Sequence, residues 1–196
     1  MQVNAKLVGA GVAAAVAAGL GYLFLSHDEE PEFATVERDG AFSVRDYPRL
    51  LVAETVSQGL RESALTRGFL ALADYVSHAG RGGRRIPTAV PMLADGDDDG
   101  RGWRTRFVML ARLSPEALPV PDEGIVIRSL AARRIAALRF TGEASDDALA
   151  AHEDELRGWI AEHGHSAAGP VEHAFYNSPL TPGPLRRNEV MIPLAA

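Results

Sequence analysis

Two stretches of helical period interrupt runs of strand-like alternation along this chain. Leu65, Phe69, Leu72 and Val76 recur at the spacing of a single helix face, and Gly80 supplies a stop. Leu149, Leu156, Trp159 and Ile160 form a second stripe. Ser145 stands at its N-cap position, Asp146, Asp147 and Glu153 put acids where the helix dipole favours them, and Gly164 marks its end. Around these helices lie half-buried strand patterns rich in β-branched and aromatic residues, at 41–56, 86–93, 103–112, 125–128, 134–141, 171–176 and 190–194. An extended lead-in at 33–37 precedes them, and an acidic turn at 95–100 joins two of them. Pro115, Pro119 and Pro121 make 113–124 a crossover, because proline cannot continue either ladder.

The order strand, helix, strand, strand therefore occurs twice with similar spacing. Both helical stripes are buried most simply if the helices pack on an antiparallel sheet, so the predicted fold is α+β, built from two β-α-β-β halves. Two related halves meet around a pseudo-twofold axis, and the groove between them is a natural ligand site.

Ahead of this domain, residues 7–25 run for 19 positions without a charge. As a helix they would span roughly 28 Å, close to the hydrocarbon thickness of a bilayer. Lys6 precedes the run and Asp28, Glu29 and Glu30 follow it, which keeps the N-terminus in the cytoplasm and exports the rest. The expected division is an anchor or signal segment at 1–26 and a ligand-binding domain at 27–196. The domain then faces the periplasm from the inner membrane, or is secreted if the small-x-small site Ala15-Val16-Ala17 is cleaved.

Composition narrows the chemistry. Of 196 residues, 46% are hydrophobic and 23% charged, an ordinary globular balance, and the net charge of −6 disfavours nucleic acid. Without cysteine there is no disulfide, thiol nucleophile or thiolate metal site. Asp95-Gly96-Asp97-Asp98-Asp99-Gly100 begins like a calcium loop, but Arg106 stands where a bidentate Glu is required, so a solvated hairpin turn is expected. Gly164-His165-Ser166-Ala167-Ala168-Gly169 has one residue too many for a nucleophile elbow and follows a helix instead of a strand. His152 and His163 lie too far apart on their helix to share a metal. His163 and His165 sit at the helix end, where the dipole favours them, and His173 lies on the next strand. No nucleophile–base pair emerges, so no enzyme and no metal site is expected. Arg81, Arg84 and Arg85, with Arg186 and Arg187, are either solubilising surface or partners for ligand carboxylates.

Short motifs add a resemblance. Arg45-Asp46-Tyr47 and the helix Gly68-Phe69-x-x-Leu72-x-x-Tyr75-Val76 occur in order with Ile86-Pro87-Thr88-Ala89-Val90-Pro91 and Trp103-x-x-x-Phe107-x-Met109. Pro119-x-Pro121, Phe140-x-Gly142, Tyr176-Asn177-x-Pro179 and Arg186-Arg187-Asn188-Glu189-Val190 complete the series. Over about residues 32–194 this resembles the SOUL/haem-binding protein family. The resemblance implies a monomeric, duplicated fold with a distorted barrel-like sheet and two long helices. It also implies a shallow cleft for haem or another tetrapyrrole, between the first helix and the loop before the last strand. Carried over by position, the cleft wall is Thr66, Phe69, Leu70 and Ala73 from the helix, facing Tyr176, Leu180 and Thr181 from the loop. Some members carry Met and Lys on that helix and Lys in that loop, where this chain has Phe69, Ala73, Asp74 and Thr181. Asp74 repels haem propionates, which leaves a small hydrophobic or cationic molecule as the alternative ligand.

Overall fold

A computed structural model describes residues 29–77, 85–177 and 181–195. Nine strands make one antiparallel half-barrel sheet: β1 (Ala34–Asp39), β2 (Phe42–Tyr47), β3 (Leu50–Gln58), β4 (Thr88–Gly96), β5 (Gly102–Met109), β6 (Ile125–Leu130), β7 (Arg133–Thr141), β8 (Glu172–Phe175) and β9 (Arg187–Pro193). Two helices, α1 (Arg61–Ser77) and α2 (Asp146–Glu162), complete the α+β fold. The strand order is β1-β2-β7-β9-β8-β4-β5-β3-β6.

That order reveals a duplication with exchanged first strands. Each half runs strand, strand, helix, strand, strand: β2-β3-α1-β4-β5 and then β6-β7-α2-β8-β9. Yet β2 pairs with β7 of the second half, from Phe42 opposite Leu138 to Tyr47 opposite Arg133. Reciprocally, β6 pairs with β3, from Leu50 opposite Leu130 to Thr55 opposite Ile125. The continuous alternation at 41–56 is thus two strands, broken at Pro48-Arg49 so that β2 and β3 join distant parts of the sheet. Proline at that break has no N–H to give to a ladder. The lead-in is itself an edge strand, turned back on β2 at Gly40, whose φ of +54° suits a residue without a Cβ.

Alternation sends side chains to two faces. Outside, α1 packs on β3 and β5, with Leu72, Val76 and Phe69 against Phe107 and Met109. On the same face α2 packs on β7 and β9, with Leu149, Leu156, Trp159 and Ile160 against Ala136, Leu138, Val190 and Ile192. The Ser145 hydroxyl caps α2 by accepting from the Ala148 N–H at 3.2 Å. The inner face holds a third cluster, in which Val52, Leu93, Val108, Ile135 and Met191 meet across the half-barrel. The acidic turn joins β4 to β5, with Asp95 turned inward onto Arg104 and Arg106. Among the described residues no group of three or more acids and histidines is arranged to hold a metal ion, and no helix is long and apolar enough to cross a membrane. The expected anchor at 1–26 lies outside the described residues, as do Arg81, Arg84 and Leu180.

Candidate ligand-binding trough

With α1 over one half of the outer face and α2 over the other, β8 and β4 run between them at the centre of the sheet. Register assigns the floor of this trough. One cross-strand row is Asn188, Phe175, Met92 and Phe107; the next is Val190, His173, Ala94 and Thr105. Phe175 and Met92 are half-buried, so the first row offers apolar surface that the core has not fully consumed.

One end of the trough is bridged. Arg61, at the start of α1, donates to the Asp146 carboxylate and, at 2.8 Å, to the Ala144 carbonyl beside the start of α2. His173 lies close enough to feel both charges, and Trp103 stacks on it with ring centroids 5.9 Å apart. The imidazole is only 5% exposed and its Nδ1 has no hydrogen-bond partner. Burial, helped by the positive Arg61, pushes its pKa down to about 4, so the ring is neutral at physiological pH.

At the other end α1 turns one flank toward the central strands. Phe69 meets Phe107 edge-on at 5.3 Å, and Ala73 is buried beside it. Thr66 and Leu70 continue that flank into solvent; Leu70 is 38% exposed, and the Thr66 hydroxyl donates back to the Glu62 carbonyl. Thr181 is half-buried, and its carbonyl accepts from Arg186 at 2.8 Å. The helical part of the expected wall is therefore one continuous surface, partly core and partly exposed. Tyr176 stands apart from it: its hydroxyl donates to Glu189 on the inner face, on the other side of the sheet from α1. Met92, Phe175, Trp103 and His173 join the trough although periodicity on the helix did not single them out. Strand alternation was the only signal for them, and it does not say which face a ligand would meet.

The fit to a tetrapyrrole can be judged on these side chains. A flat apolar ring finds an aromatic and thioether floor, an exposed leucine, and a neutral imidazole one row further in. Arg61 at the bridged end and Arg186 beside Thr181 are both engaged with protein partners. Asp74 is exposed one turn beyond Leu70 and repels a ring carboxylate from that side.

The model of one family, described as SOUL heme-binding protein, matches residues 28–193. No curated protein matches the sequence. Among solved structures, the C-terminal domain of EcmrR is similar with a TM-score of 0.61 at 10% identity, over 79% of this chain and 96% of that one. A protein of Listeria innocua described as a hydrolase gives 0.56 at 12% identity, over 82% and 94%. An uncharacterized conserved protein of Listeria innocua gives 0.54 at 14% identity, over 88% and 95%. At such identities these likenesses show the fold alone.

Proposed function

The chain belongs to the SOUL heme-binding protein family, and from that premise we propose that it is a non-enzymatic carrier or buffer of haem or a related tetrapyrrole, holding the ring at the open end of the trough. The observation that carries this reading is the half-buried Phe175–Met92 floor beside the exposed Leu70 flank of α1. Covering such surface contributes about 25 cal/mol per Å², enough for useful affinity without an iron ligand. In this reading the wall is Thr66, Phe69, Leu70 and Ala73 of α1, with Thr181 from the loop before β9. The domain works as a monomer, held at the inner membrane by 1–26 and facing the periplasm. The uncharged run at 7–25, with Lys6 before it and acids after it, supports that placement.

Haemin titration with absorption spectroscopy tests it. Phe69 also supports the core, so the informative variant is Leu70→Asp. We expect a saturable Soret change in the parent and a loss of about tenfold or more in affinity, roughly 1.4 kcal/mol, in the variant, with an unchanged melting temperature. Absence of saturable binding in the parent overturns the haem reading. The ligand would then be a small hydrophobic cation, which the exposed Asp74 and the net charge of −6 favour.

A further inference from the structure

On the inner face, across the sheet from the trough, residues 29–33 cross the mouth of a second cavity. Leu50, Leu93, Val108, Ile135 and Met191 give it apolar walls, Tyr47 and the Glu172-paired Arg133 line it as well, and Pro31 is the strap's contribution to the lining. With the strap in place the cavity measures about 10 Å³, room for about one water molecule. The strap has no regular secondary structure and is held largely through side chains. The Val90 N–H donates to the Glu29 carbonyl at 3.0 Å, and the Phe33 ring leans on Tyr47 at 5.1 Å beneath the Arg45 guanidinium.

Glu30 is the chemically telling contact. Both its carboxylate oxygens accept from Arg187, at 2.5 and 3.1 Å. The Arg187 guanidinium lies 3.6 Å above the Tyr176 ring, and its buried Nε has no hydrogen-bond partner. Tyr176 is fixed in turn by donating to Glu189 at 2.8 Å, and Glu189 is held by both terminal nitrogens of Arg45. A planar fork braced on an aromatic plate beside an apolar cavity is a receptor for a carboxylate with a hydrophobic body. A cation finds no such opening, because the inner-face acids Glu54, Asp95, Glu172 and Glu189 are each ion-paired with arginine.

We propose that this cavity is a second ligand site, for a small monocarboxylic acid with an apolar tail, and that the chain's own Glu30 and Pro31 occupy it in its absence. The exchange conserves the bonding. The incoming carboxylate takes Arg187 from Glu30, which is already one-third exposed, and the tail takes the place of Pro31. Because the internal competitor is tethered, it lowers the apparent affinity for any ligand from solution. The site is independent of the haem reading, since it lies on the opposite face of the sheet.

Isothermal titration of the full chain with octanoate provides the test, with octylammonium as the control. We expect Glu30→Gln to bind octanoate at least tenfold tighter than the parent and octylammonium not to bind. In the Glu30→Gln background, Arg187→Lys keeps the charge but loses the fork, and should return at least tenfold of that gain. Should Arg187→Lys fail to fold, octanoate-induced NMR shifts in Glu30→Gln must centre on Tyr47 and Met191. Equal octanoate affinity in Glu30→Gln and the parent overturns the proposal, as do binding indifferent to Arg187, shifts centred on α1, or displacement of octanoate by haemin.

Discussion

At position 173 a histidine is carried on β8 between Trp103 and Phe175, with Arg61 and Asp146 the charged groups facing it from the two helices. Its folded pKa of about 4 lies below the ordinary histidine value of 6.5, so between those values the unfolded chain binds the proton that the folded chain refuses. Stability is therefore insensitive to this residue above about pH 7 and falls as the pH drops from 6.5 toward 4, by on the order of 3 kcal/mol. His173→Leu should flatten that part of the profile; urea midpoints at pH 7 and pH 5 that fall equally in both proteins would refute it. Glu189 acts in the same direction. Burial alone would raise its pKa, but the Arg45 hydrogen bonds and charge outweigh burial and hold it below the ordinary glutamate value. The contribution of that pair is present at neutral pH and disappears as pH falls through the lowered pKa. Neither effect is visible in residue order, since the partners of both groups come from other elements.

Among the elements, α1 shows how far periodicity reaches. Leu65, Phe69, Leu72 and Val76 are all buried, as the stripe requires, and Leu149, Leu156, Trp159 and Ile160 are likewise the buried positions of α2. What the stripe does not reveal is how close α1 comes to the sheet. At Gly68 an added Cβ would stand 2.5 Å from Thr105 Oγ1 and 2.9 Å from Thr105 Cβ. In an exposed helix Gly→Ala gains about 1 kcal/mol; here the forced separation of α1 from β5 should exceed that gain, for a net loss of about 1–2 kcal/mol. A Gly68→Ala variant that melts above the parent would show that the helix has room to shift. Strand ends were less legible than helix stripes. Arg187 and Glu189 begin β9 but break the apolar pattern, because their partners lie on the charged inner face.

For the molecule as a whole, the exchanged first strands decide how it can come apart. Because β2 completes the sheet of the second half and β6 that of the first, neither half buries its edge alone. Cutting the chain between Pro121 and Asp122 should leave two fragments that lack cooperative unfolding separately and regain it on mixing. Circular dichroism and co-purification would show this, and a cooperative transition in either isolated fragment would contradict it. The same topology places the two candidate sites on opposite surfaces. The trough lies between the helices outside, whereas Tyr176 belongs to the inner cluster and Pro31 lines the inner cavity.

Local order along the chain was enough for the α+β class, the repeated pattern, both helix faces, the Ser145 cap and the family motifs. Each of these depends on spacing within about twenty residues, where propensity and periodicity act. The helical half of the candidate wall, Thr66, Phe69, Leu70 and Ala73, came by position from the family resemblance instead, since the stripe itself marks only Phe69 among them. Strand exchange, the facing of Tyr176, the isolation of His173 and the Glu30–Arg187 pair were decided by tertiary structure alone. They join residues as many as 157 positions apart, and a period of two fixes which side chains share a face without fixing what that face meets.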